Sequence, residues 1–193
     1  MLDRIQAKAW LKSDRAGIEP ALHGAQKALA QWAIVDDYNA VLDMHCCDAR
    51  LLRYLGKCYS LRACGIADDA AAARALRQQA PEAEIFCARK EDIPWRSETF
   101  DAVFYQMKKS EADLDAGFLK EAMRVLRPGG QMLVALTGAP EIVSRAGALL
   151  GFCAHDTHIA LHTLLKRMEE AGLADVSYRM AQPLTGVAIG WKR

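Results

Sequence analysis

Ala40-Val41-Leu42-Asp43-Met44-His45-Cys46-Cys47-Asp48-Ala49-Arg50-Leu51-Leu52-Arg53-Tyr54-Leu55 is the stretch on which the fold turns. Ala40-Val41-Leu42 is apolar and reads as the end of a buried strand. Beyond the turn, Leu51, Leu52 and Leu55 recur at helical spacing. A strand, a sharp turn and a helix aim backbone N–H groups and a helix N-terminus at a ligand. Loops of this kind are ordinarily rich in glycine, and Asp43 to Ala49 contains none.

Outward from this stretch, short apolar runs alternate with longer amphipathic ones. Strands are expected at Ala40–Met44, Tyr59–Ile66, Glu84–Ala88, Ala102–Gln106, Gln131–Leu136, Val176–Met180 and Gly186–Trp191. Helices are expected at Leu51–Leu55, Ala70–Gln79, Leu114–Leu126 and Thr157–Ala171. Pro128-Gly129-Gly130 separates a helix from a strand, and Gly172 follows Glu169-Glu170-Ala171 as a helix stop. The alternation predicts an α/β fold: a doubly wound, mainly parallel seven-stranded sheet covered on both faces. Only Ala181-Gln182-Pro183-Leu184-Thr185 joins the last two strands. That is too short for a helical crossover, so they should form an antiparallel C-terminal hairpin. Residues 1–35 read as an N-terminal helical segment, with Ile5, Ala9 and Trp10 in one piece and Leu22, Ala25, Leu29 and Trp32 in another. Residues 36–193 read as the α/β domain.

A chain of 193 residues can bury one sizeable core. Net charge is +1, and basic residues form no run longer than pairs such as Arg89-Lys90 and Lys108-Lys109, so no nucleic-acid partner is expected. The first residues lack the apolar centre of a signal peptide. The longest apolar candidate, Ala146 to Ala154, falls well short of the ~20 residues a bilayer requires. These features predict a cytoplasmic protein without membrane contact. The six cysteines include no CxxC pair and are expected to be reduced. His45-Cys46-Cys47-Asp48 matches no zinc spacing, so no metal is expected. Cys46 should pack inward as a small hydrophobe, with His45 and Cys47 occupying ligand space.

Four segments carry a resemblance: Val41-Leu42-Asp43; Ile93-Pro94-Trp95 with Thr99-Phe100-Asp101-Ala102-Val103-Phe104; Met123-Arg124-Val125-Leu126-Arg127-Pro128-Gly129-Gly130-Gln131; and Met168-Glu169-Glu170-Ala171-Gly172-Leu173. Through them the chain resembles the class I S-adenosylmethionine-dependent methyltransferases, most of all the type 11 or UbiE-like group, over roughly residues 36–193. The resemblance implies a Rossmann-like methyltransferase fold, S-adenosylmethionine as cofactor and a small-molecule methyl acceptor. In the family an acid ends the first strand and three alternating glycines follow. Here Asp43 is the acid, and His45, Cys47 and Ala49 stand in the glycine places. A Cβ in left-handed geometry costs ~1–2 kcal/mol per residue, so three replacements imply a reshaped loop. The family's ribose-binding acid falls at Ala67, with Asp68 and Asp69 one and two places later. Its adenine-binding acceptor falls at Arg89, beside Lys90, and arginine can only donate. Tyr105, late in the fourth strand, completes the candidate cofactor contacts.

Asp156-Thr157 reads as an N-cap, which would put His158 in the first turn of the last large helix and His162 one turn further on. His158 is then a candidate general base at the carboxyl edge of the sheet, or an exposed helix-end histidine. Lys108-Lys109 could hold an anionic substrate or form a solvated loop. Trp10 and Trp32 read as packing anchors, and by resemblance the N-terminal helices would act as a lid. Two functions follow. One is a methyltransferase acting on a small-molecule substrate. The alternative is a non-catalytic protein of the same fold: a partner subunit, a regulator, or a binder of another ligand. A homodimer is expected if the final hairpin or the N-terminal helices expose an apolar face.

Overall fold

The computed structural model describes residues 22, 24–108, 117–137, 152–182 and 185–193. The elements run α1 (Gly24–Trp32), β1 (Ala40–Asp43), α2 (Arg50–Cys58), β2 (Arg62–Ala67), α3 (Ala70–Gln79) and β3 (Glu84–Cys87). They continue with β4 (Phe100–Lys108), α4 (Gly117–Val125), β5 (Leu126–Thr137), α5 (Phe152–Glu170), β6 (Leu173–Gln182) and β7 (Thr185–Lys192). The sheet has seven strands in the order β3-β2-β1-β4-β5-β7-β6. The five strands from β3 to β5 are parallel, whereas β7 runs antiparallel to both β5 and β6. Fold class and final hairpin agree with the sequence reading.

Two-residue periodicity sorts the strand side chains onto two cores. On one face Val41, Ala63, Ile85, Ala102, Phe104, Leu133 and Val187 pack under α1, α2 and α3 through Leu29, Leu51, Leu52, Leu55 and Leu76. On the other, Leu42, Cys64, Val103, Tyr105, Met132, Val134 and Ala188 meet α4 and α5 through Phe118, Leu119, Ala122, Leu161, Leu164 and Met168. Chain order reverses at β1, which has β2 on one side and β4 on the other. In such sheets ligands collect outside the carboxyl ends of the strands at the switch point.

The paired motifs around Asp101 and Arg127 are one piece of structure. Asp101 Oδ2 accepts from the Ala40 N–H at 2.7 Å, starting β1, and the Arg127 guanidinium holds the same carboxylate at 3.0 Å. Pro128-Gly129-Gly130 forms the bulge where the β4–β5 register jumps from Phe100–Leu126 to Ala102–Gln131. A Cβ on Gly130 would stand 2.9 Å from the Arg127 carbonyl and 3.2 Å from the Asp101 carbonyl, so the strands close only around glycine. Arg124 donates to the Trp95 and Ile93 carbonyls at 2.8 and 2.9 Å and pairs with Glu121, which accepts from the Ile93 N–H at 3.0 Å. The Ile93-Pro94-Trp95 loop is thereby clasped to α4, fixing the segment after β3.

Several boundaries differ from the sequence reading. β5 starts at Leu126, not Gln131, because Leu126 pairs with Phe100 before the bulge. β2 starts at Arg62, not Tyr59, since α2 runs on to Cys58. α5 begins at Phe152, so Asp156-Thr157 lies inside the helix and is not its N-cap; His158 sits in the second turn. Asp175 with φ of 51° breaks the β6–β7 register, so β6 is irregular near its start. Of the N-terminal segment, α1 rests on β4, β5 and β7 with Leu29 wholly buried. The first helical piece with Trp10, the start of the expected helix at Leu114, and Lys109 lie outside the described residues.

Candidate functional site

The loop after β1 is tied down by its own side chains. Met44 N–H donates to the Phe104 carbonyl and Cys46 N–H to the Ile66 carbonyl, both at 2.9 Å, so the chain bridges β4 and β2 as it leaves the sheet. Asp43 Oδ1 accepts from the His45 N–H at 3.1 Å. Asp48 Oδ1 accepts from Gln26 Nε2 of α1 at 2.6 Å and from the Arg50 N–H at 3.1 Å, serving the helix N-terminus in place of a side-chain cap at Ala49. Among the described residues, positive φ outside glycine occurs at Tyr38, Glu98 and Asp175, and nowhere from Asp43 to Ala49. The loop is reshaped and carries no left-handed strain. The close approach has moved into β2: a Cβ on Gly65 would stand 3.0 Å from Leu52 Cδ1 and 3.3 Å from Cys46 Cβ.

A cavity of about 370 Å³ opens over the carboxyl ends of β1, β2, β3 and β4, lined by Met44, His45, Asp68, Ala88, Arg89, Lys90, Glu91 and Tyr105. Of the sequence candidates, His45, Asp68, Arg89, Lys90 and Tyr105 come together here. Asp43 lies behind the lining, 0% exposed. Ala49 is also fully buried, at the start of α2, and Cys47 is exposed outside the lining. Cys46 packs inward, against the Gly65 face of β2. His162 is exposed and meets Tyr178 edge-on at 5.3 Å, on the β6 side of α5. The His158 side chain is outside those described.

Glu91 is the lining residue with useful chemistry that the sequence reading passed over; its signal was its place two residues after Arg89 in the segment that follows β3. The two aspartates after β2 divide their work. Asp69 caps α3, accepting from the Ala72 N–H at 2.7 Å. Asp68 faces the cavity with its side chain 83% exposed, 3.7 Å from His45 Nε2. β4 outruns β1, and the Gln106 carbonyl on that overhang accepts from His45 Nδ1 at 2.9 Å. Lys90 Nζ donates to the Tyr105 hydroxyl at 2.9 Å.

Burial pushes the Asp43 carboxyl up to about 6, against the opposing pull of the His45 N–H. His45 is pushed up to about 9, first by its hydrogen bond to Cys47, with burial opposing and the Gln106 carbonyl and Asp68 adding. The cavity thus presents cationic His45, Arg89 and Lys90 against Asp68 and Glu91. No helix among the described residues is long and apolar enough to cross a membrane.

A seven-stranded sheet in this order, with a mixed-charge cavity at its switch point, defines a doubly wound α/β protein of the methyltransferase type. Residues 42–134 match the family described as "Methyltransferase domain". Over that segment, from β1 into β5, the chain is similar to that family, and its fold is the Rossmann-like methyltransferase fold. A chain from the Haloferax volcanii complex of the Trm112 methyltransferase activator with a methyltransferase is similar at TM-score 0.68 and 18% identity, covering 97% of this chain and 96% of that one. The [4+2]-cyclase SpnF is similar at TM-score 0.66 and 14% identity over 97% and 93% of the two chains. A geranyl diphosphate methyltransferase in complex with S-adenosylmethionine is similar at TM-score 0.62 and 14% identity over 97% and 85%. A sequence search of curated proteins finds no match.

Proposed function

We propose that the protein is a methyltransferase that holds the nucleoside end of S-adenosylmethionine at the carboxyl ends of β2 and β3 and serves a small acceptor. The observation that carries this reading is the Asp68 carboxylate, relieved of capping by Asp69 and exposed at the cavity mouth beside His45. A carboxylate there would accept from both hydroxyls of a vicinal diol, and Glu91 would accept from an exocyclic amine, which Arg89 cannot do. The volume lies at the lower end of the ~300–1,000 Å³ usual for small-molecule sites, so these residues fit that end of the cofactor. When bound, the cofactor supplies a sulfonium-activated methyl group. The chain's own task is orientation and exclusion of water, since positioning supplies much of the rate of an in-line displacement. The family match and the neighbour solved with S-adenosylmethionine support this reading. Buried Cys46, Cys58 and Cys64 form no disulfide, which suits a reducing compartment, and we place the protein in the cytoplasm.

Calorimetry and melting with S-adenosylmethionine and S-adenosylhomocysteine test it. A ligand at about 100 times its Kd adds ~2.7 kcal/mol of stability. Asp68→Asn should weaken binding ~10-fold or more, because hydrogen bonds to a charged group are worth ~1.5–3 kcal/mol. No stabilisation by either compound at millimolar concentration refutes the enzyme.

His45 favours a second reading. Its imidazole stands in a glycine place and is held into the lining by the Gln106 carbonyl. A non-catalytic protein would keep the scaffold and work with a protein partner, as the Haloferax neighbour was solved with an activator. It would bind neither adenosyl compound and would co-purify with its partner.

A further inference from the structure

We propose that Cys47 is a nucleophilic thiol activated by His45, making the cavity rim a covalent modification site for small soft electrophiles, hydroperoxides among them. Cys47 Sγ lies 3.4 Å from His45 Nε2. His45 Nδ1 faces a carbonyl, the Gln106 oxygen at 2.9 Å, which only accepts. The ring proton of neutral His45 is therefore on Nδ1, and Nε2 is free to take the proton of the thiol. Asp68 Oδ2, 3.7 Å from Nε2, steadies the imidazolium that results. The upward push on His45, led by its bond to Cys47, agrees with a proton that rests on the ring. These are the elements of an activated nucleophile: thiol, base, and groups that orient and stabilise the base.

The neighbouring thiol shows how local this is. Cys46 is 3% exposed and donates to the Asp48 carbonyl at 3.6 Å, and burial drives its thiol well above the usual range. Cys58 and Cys64 are buried. Cys87, at the end of β3, is exposed, and among the described residues no imidazole lies within hydrogen-bond reach of it, so it serves as an internal reference. With an alkyl halide the S–C bond forms as the C–halogen bond breaks, halide leaves, and the thiol proton passes to Nε2. With a hydroperoxide the S–O bond forms as O–O breaks. Sulfur is oxidised to the sulfenic acid, and the departing oxygen takes the proton from His45 to leave as water or alcohol.

Iodoacetamide labelling of the full chain at about pH 7, with Cys47 resolved from Cys46 and Cys87 by tandem mass spectrometry, tests the proposal. His45 Nε2, 3.4 Å from the Cys47 sulfur, takes the thiol proton as the sulfur attacks, so Cys47 should react ~10-fold faster than Cys87, which has no such base among the described residues. His45→Gln should slow Cys47 ~10-fold and leave Cys87 unchanged. Asp68→Asn, at a side chain 83% exposed and outside the core, should slow Cys47 a few-fold with the fold intact. Hydrogen peroxide followed by dimedone should tag Cys47 ahead of Cys87. Equal labelling of the two in the wild type, or an unchanged Cys47 rate in a folded His45→Gln protein, overturns the proposal.

Discussion

Replacing Asp43 by asparagine tests the electrostatics of the loop directly. The carboxyl is 0% exposed; Oδ1 takes the His45 N–H, and Oδ2 is buried without a partner. Burial lifts the group from 3.8 to about 6. A folded-state value above the unfolded one means that the group's contribution to stability is fully present below about pH 4 and lost as pH rises through about 6. The shift corresponds to ~3 kcal/mol in all, of which ~2 kcal/mol falls between about pH 4.5 and pH 8. Asparagine keeps the acceptor for His45 and removes the charge. It also buries an unpartnered amide, at a cost of ~1–3 kcal/mol that does not vary with pH and cancels when the two pH values are compared. Urea unfolding of both proteins at each pH gives the difference in stability. That difference should move toward the asparagine variant by ~2 kcal/mol from the acid to the alkaline condition. A difference constant to within ~0.5 kcal/mol would show that Asp43 does not bear this desolvation, and the account of the loop would fall with it.

Gly65→Ala would bring a Cβ within 3.0 Å of Leu52 Cδ1 and 3.3 Å of Cys46 Cβ. Urea unfolding should show a loss of ~1–2 kcal/mol, as overpacking costs ~1–3. Arg124→Lys breaks the fork that joins Glu121 to the Ile93 and Trp95 carbonyls; a loss of ~1–3 kcal/mol and faster amide exchange at Ile93 and Trp95 are expected. For His45, raised from 6.5 to about 9, the contribution to stability is present below about pH 6.5 and lost as pH rises through about 9. His45→Gln should therefore be more destabilising at pH 6 than at pH 9.5 by on the order of 1 kcal/mol, discounted for a side chain 29% exposed, as pH-resolved melting would show.

The fold was legible because its signals are local and repeat. Val103, Tyr105 and Met107 against Ala102 and Phe104 give a period of two that divides the cores, and the Asp101–Arg127 contact explains why two distant motifs occur together. Boundaries were less legible where tertiary pairing decided them, as with Leu126 joining β5 through Phe100 across a bulge. At the site, a one-residue offset separates Asp68 from the expected place, and only the capping of α3 by Asp69 shows which aspartate faces the cavity. Glu91 was missed because its role depends on how the segment after β3 folds over the cavity, which no periodicity encodes.

The loop after β1 shows how a glycine motif can disappear without disturbing the scaffold around it. A glycine loop leaves its N–H groups free for a ligand, whereas this loop spends its polar groups internally. Asp43 takes the His45 N–H, Asp48 takes Arg50 and Gln26, and His45 itself bonds the overhanging Gln106 carbonyl. Side-chain caps thus replace backbone freedom, which is why no positive φ is needed there. The same bonds that dispense with glycine fix an imidazole in the cavity wall and a thiol beside it. Any ligand that enters must come to terms with a cationic histidine at the end of β1 and with the exposed Asp68 carboxylate just past the end of β2. The chemistry of this protein is therefore set less by the glycines this loop lacks than by the hydrogen bonds that hold it.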